Sequence, residues 1–146
     1  SRKLYQAYLP LMPSAINKLD LKDYDLIIYS ESGPAKGVNK RSDACHICYC
    51  HTPMRYIWDQ QAIYLEHAGA VKGWYLKRIT PYLQRCDVNS ASMVDHFIAN
   101  SAYVSGRIQR IYGRPSTVIH PPVDIDTFQP VENKSDYFVI AGQLVP

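Results

Sequence analysis

The chain has 146 residues, of which 47% are hydrophobic and 20% charged, and its formal net charge is +3. That length supports one domain with a buried core, and so mild a basic excess leaves no electrostatic footprint for nucleic acid. No run of about 18 apolar residues is present, which excludes a membrane-spanning helix.

The N-terminal Ser1-Arg2-Lys3 leads into a stretch broken by Pro10 and Pro13, not into a signal-peptide core. A helix is expected over 4–19, where Leu4, Ala7, Tyr8, Leu11, Ala15 and Leu19 share a face and the two prolines kink or split it. Asp25-Leu-Ile-Ile-Tyr-Ser30 reads as a buried strand, followed by a small-residue loop through Gly33, Pro34, Lys36 and Gly37. His46 to Cys50 is the next strand, and Thr52-Pro53 stops it. Two helices are expected over 54–67 and 70–85, separated by Gly69, with a polar connector or short helix over 87–95. Phe97–Ala99 is a strand, Ser101 is the N-cap of a helix running to Tyr112, and Gly113 is its C-terminal stop. Thr117–His120 is a further strand, 121–136 a Pro-rich and then polar linker, and Tyr137–Ala141 a strand that begins something new. Strands alternating with helices make the fold class α/β, a Rossmann-like parallel sheet with flanking helices.

Ligands of such sheets lie beyond the carboxyl ends of the strands, which draws attention to His51, Asn100, Ser101 and His120. An imidazole there titrates near neutrality and offers a donor and an acceptor; equally, a strand-end histidine can simply bond a backbone carbonyl. The loop with Gly33 and Lys36 suits a phosphate or an acceptor, or is an ordinary turn. Arg55 has the planar fork for an anionic acceptor such as a lipid diphosphate, or forms a surface ion pair. Cys45-His46-x-Cys48-x-Cys50-His51 invites a zinc reading, but alternation sends His46, Cys48 and Cys50 to one face and Cys45 to the other, so small core cysteines are the better account. Cysteines so close along one strand do not readily bridge each other, which fits a reduced, cytoplasmic protein. Asp23-Tyr-Asp25 and Asp124-Ile-Asp126 are isolated acidic pairs without convergent partners. Basic and aromatic residues over 71–85 suit peripheral contact with an anionic inner membrane face, or a packed helix.

Two blocks, Cys45–Trp58 and Phe97–Phe128, with Asp25–Gly37 and Tyr137–Pro146, resemble the GT-B glycosyltransferases of family 4, in particular a bacterial mannosyltransferase-like branch that assembles surface polysaccharide. The resemblance implies a retaining transferase that moves a hexose, such as mannose, from a nucleoside diphosphate sugar to a glycan or lipid-linked acceptor, with no metal and no other cofactor. It makes 1–120 an acceptor-side domain incomplete at its N-terminus, 121–136 the hinge and 137–146 the first strand of the nucleotide-sugar domain. Such a fragment is expected to be inactive alone, with an exposed apolar surface through which copies could pair. His51 is then the catalytic candidate, beside the donor sugar; Gly33, Lys36, Arg55, Asn100 and Ser101 are substrate-binding candidates. Pro122, Asp124 and Phe128 belong to the hinge, and Gln143 stands where the family places a phosphate-binding Arg. The rival expectation is a non-catalytic Rossmann-like module that binds a sugar or a partner.

Overall fold

A computed structural model describes residues 5–66, 68–127, 132 and 135–139. It is α/β, with a four-stranded sheet in the order β1-β2-β3-β4: β1 (Leu26–Glu31), β2 (Cys45–Cys50), β3 (His96–Ala99) and β4 (Thr117–Val118). All three pairings are parallel, with Ile28 beside Ile47, Ile47 beside His96, and Ile98 beside Thr117. The helices are α1 (Met12–Asn17), α2 (Gln61–Glu66), α3 (Ala70–Ala91) and α4 (Ala102–Tyr112).

Side chains alternate across each strand. Cys48, Cys50, Phe97 and Ala99 point to one face and close a core with Ala91, Val94, Val104 and Ile108. A second cluster joins Leu9, Met54, Ile57 and Leu83, between the N-terminal segment and α3. The other set of the alternation, Leu26, Ile28, Tyr49 and Ile98, lies on the opposite face, where Leu26 and Ile28 are 51% and 64% exposed. Crossovers between parallel strands are right-handed, so strands laid down in sequential order place every connecting helix on the same side. The opposite face is left uncovered among the described residues.

Several elements depart from the sequence expectation. The segment read as one helix over 4–19 splits as its prolines allow: a 3-10 helix, Tyr5–Leu11, contains Pro10 and hands over to α1, which carries Pro13 in its first turn. Of the helix expected over 54–67, Gln61–Glu66 is helical, while 54–60 is a series of turns. There the Ile57 carbonyl, a group a helix would use, accepts instead from Gln84 Nε2 at 2.7 Å, and Trp58 Nε1 donates to Asp87 Oδ2 at 2.8 Å, so tertiary partners hold the segment. Of the connector or short helix expected over 87–95, residues 87–91 are helical but continue α3, which passes through Pro81 to Ala91. Its polar residues Asp87 and Ser90 are buried. Tyr137–Val139 form no strand; Phe128 and 140–146, Gln143 included, lie outside the described residues.

Lys36 lies at the junction of these parts. It is 1% exposed, with Nζ 2.8 Å from Glu31 Oε1 at the end of β1 and 2.7 Å from Asp87 Oδ1 on α3. It also donates to the Gly33 carbonyl at 3.1 Å, and lies over the Tyr112 ring. Burial alone would lower its pKa, but Asp87 and Glu31 outweigh burial and hold the ammonium above its ordinary value. Burial raises the Glu31 carboxyl, and Lys36 opposes that rise. Lys36→Met would strand two buried carboxylates, so the variant should lose about 3–5 kcal/mol in urea unfolding; a loss below about 1 kcal/mol would mean the pair is not buried as described.

Candidate functional site

The carboxyl ends of β1 and β2 lie side by side, in register from Leu26 and Cys45 to Glu31 and Cys50. One residue beyond β2, the His51 amide donates to the Glu31 carbonyl at 2.8 Å and so continues the ladder. Its ring is exposed. Nε2 is 2.7 Å from Ser30 Oγ, and the Tyr49 ring meets the imidazole edge-on, 5.3 Å between centroids. The backbone, a hydroxyl and an aromatic edge therefore fix the ring while Nδ1 has no partner among the described residues.

His51 opens onto a cleft of about 470 Å³, lined also by Ser32, Thr52, Arg55, Asp59, Tyr103 and Arg107. Arg107 comes from α4, on the same helical face as Val104 and Ile108, and is 2% exposed. It donates to Thr52 Oγ1 and to the Pro53 carbonyl at 3.4 Å, and pairs with Asp59. It thereby ties α4 to the turn that follows His51. Sequence reading missed it; the signal was an arginine at helical spacing from Val104 on an otherwise apolar stripe. Asp59 also pairs with Arg110 at 3.3 Å. A second, drier hollow of about 200 Å³ lies between the N-terminal segment and α3, lined by Leu9, Met12, Met54, Leu83 and Met93 among others. Its wall is largely apolar, and Pro34 and Gly37 of the loop after β1 form part of it.

The expected site residues separate into two groups. His51 and Arg55 come together in the cleft. Lys36 does not: it is spent on Glu31 and Asp87 beneath the loop, which corrects the expectation that it presents its charge to a ligand. Gly33 contributes its carbonyl to that same buried ammonium. Ser101 Oγ accepts from the Val104 amide at 3.3 Å as the N-cap of α4, and donates to Asn100 Oδ1 at 3.1 Å. The Asn100 carbonyl is 3.1 Å from His120 Nδ1. At the other end of the helix Gly113 adopts φ 65°, a left-handed stop that suits glycine. Asp124 accepts from the Asp126 amide and from the amide and hydroxyl of Thr127, bonds that hold its carboxyl below the usual range and close the turn after Pro122.

The cysteine and histidine run falls on two faces. His46, Cys48 and Cys50 are buried and Cys45 lies opposite, and no group of three metal-ligating side chains occurs among the described residues. Asp25 pairs with Arg41. In α3, Gly73, Thr80 and Leu83 are buried while Val71 and Trp74 are exposed; no helix among the described residues is long and apolar enough to cross a membrane.

Two expectations test this local picture. Ser101→Ala removes a cap and should cost about 1 kcal/mol in urea unfolding, an effect on stability that a purely substrate-binding serine would lack. His46 Nδ1 lies 3.0 Å from the Met93 carbonyl, and burial lowers its pKa from the ordinary 6.5 while the Met93 bond opposes that shift. Below pH 6.5 the unfolded chain takes up a proton that folded His46 resists. Stability should therefore be full above that pH and decline below it, by at most about 1.4 kcal/mol per pH unit from this group. The urea midpoint measured from pH 7.5 to 5 should show that decline, and His46→Asn should flatten it; an unchanged slope would clear His46 of the effect.

The family model for Glycosyltransferase Family 4 matches residues 1–127. No curated protein and no solved structure matches the chain.

Proposed function

The chain belongs to glycosyltransferase family 4, and on that premise we propose that it is the acceptor-side part of a retaining GT-B hexosyltransferase. The donor is a nucleoside diphosphate sugar, with mannose the hexose favoured by the resemblance of Cys45–Trp58 and Phe97–Phe128 to the bacterial mannosyltransferase-like branch. The acceptor is a glycan or a lipid-linked glycan of surface-polysaccharide assembly, on the cytoplasmic side. In this reading 1–120 form the acceptor-side domain, 121–136 the hinge and 137–146 the start of the nucleotide-sugar domain. Gln143 would meet the donor diphosphate with an amide in place of a guanidinium, and Pro122, Asp124 and Phe128 would set the hinge.

One observation carries the reading: His51 at the carboxyl end of β2, its Nε2 held by Ser30 Oγ at 2.7 Å, at the mouth of the cleft. In the tautomer in which the Ser30 hydroxyl donates to Nε2, the ring proton would lie on Nδ1. That N–H would donate to a hydroxyl of the donor sugar, and the ring would stabilise charge that develops as the bond to the diphosphate breaks. Such a mechanism calls for no metal, because positive groups of the protein would neutralise the leaving diphosphate. Asn100 and Ser101 would act here through the position of α4.

The test uses the whole gene product and a panel of GDP- and UDP-sugars, with nucleotide release as the readout. Release from one donor should fall about 100-fold or more in His51→Ala, and less in Ser30→Ala, which leaves the imidazole in place. Unchanged release in His51→Ala would remove His51 from catalysis. No donor binding by calorimetry would replace the transferase with a binding module.

A further inference from the structure

The charges of the cleft are unbalanced, and one of them is unspent. Asp59 is the one carboxylate among the lining residues, and it is shared between Arg107 and Arg110. Arg55 is exposed and makes no side-chain hydrogen bond or ion pair among the described residues. Its backbone, by contrast, is fixed: the Arg55 carbonyl accepts from the Gln60 amide at 2.8 Å and the Trp58 amide at 3.3 Å. The guanidinium thus projects from a rigid turn, beside His51 in the same cleft. Below it Arg107 is buried, and its Nε has no hydrogen-bond partner. Two guanidinium groups and one carboxylate line the cleft, and the carboxylate is drawn off in part by Arg110 outside it, which leaves a positive field that favours an anion. Arginine's planar fork matches the oxygens of a phosphate.

We propose that this cleft holds the phosphate of a phosphate-bearing acceptor, with Arg55 as the residue that binds it and Arg107 as the group that positions the turn. The proposal rests on the glycosyltransferase reading only for the word acceptor; the anion site itself stands on the charges of the cleft. In that reading Gln143 meets the donor diphosphate, which leaves Arg55 to the acceptor, and the nucleotide diphosphates in the titration distinguish the two. The site would select for an anionic acceptor over a neutral glycan and would hold it in register with His51.

The experiment is calorimetric titration of the 146-residue chain at low salt with inorganic pyrophosphate, farnesyl diphosphate, GDP and UDP. Pyrophosphate and farnesyl diphosphate should bind, more weakly as salt is added, and Arg55→Gln should weaken both by about tenfold or more, the loss of a charge-assisted pair. Arg55→Lys should recover part of the affinity, since the charge remains and the fork is lost. Arg78→Gln, an exposed charge on α3 outside the cleft, should leave binding unchanged. Tighter binding of farnesyl diphosphate than of pyrophosphate would identify a lipid-linked acceptor, and equal binding an acceptor recognised by phosphate alone. No binding, equal loss in Arg78→Gln, or GDP or UDP binding far more tightly than pyrophosphate through Arg55 would overturn the proposal. Because the titration needs no turnover, its failure leaves the His51 assay untouched, and failure of that assay leaves the anion site standing.

Discussion

A buried ammonium surrounded by carboxylates organises this structure. Lys36 joins the end of β1 through Glu31 to the last turns of the sheet's main covering helix through Asp87. Asp87 in turn accepts from Trp58 and Tyr112, each at 2.8 Å. Four separate parts of the chain therefore meet at one carboxylate: the loop after β1, the turns after β2, α3 and α4. Desolvating these charges is costly, and the cost is offset only while every partner is present. A unique geometry follows, because sliding any one element would leave a charge unpaired. The strand ends that carry Ser30 and His51 inherit their rigidity from this arrangement.

The sheet topology decides where chemistry can occur. Four parallel strands in sequential order bring the carboxyl ends together on one edge, and the helices to one side. His51 lies where the ladder stops, and the α4 residue Arg107 reaches back to the Thr52-Pro53 turn. Parallel sheets are ordinarily covered on both faces, yet Leu26 and Ile28 face solvent here.

Much of the scaffold was legible because local rules and tertiary demands agree. Asp25–Ser30 and His46–Cys50 are short apolar runs bounded by turn residues, and they are strands; Ser101 and Gly113 bracket α4 by their own backbone chemistry. Reading failed where a polar residue is paid for by a distant partner. Asp87 looked like the start of a separate connector or short helix, but its side chain is held by Lys36, Trp58 and Tyr112, none of them near in sequence. Lys36 looked like a ligand-facing charge for the same reason, since nothing local announces that Glu31 and Asp87 enclose it. Arg107 went unnoticed because an arginine in a helix is usually a solvated one. His51 and Arg55 were singled out, and brought into one cleft, because the turn at Thr52-Pro53 ends the strand in plain view.

The buried pairing of Lys36 also bears on how substrates come and go. Many transferases admit and release ligands by lifting a flap, and a flap works only if its anchors detach at small cost. The Ser32–Gly37 loop has the small residues of such a flap, but it is pinned from beneath by a charge that has no water to fall back on. It is a fixed sill beside the cleft that His51 and Arg55 line. A loop so held cannot be the part that moves, so any opening and closing of that cleft falls to another element.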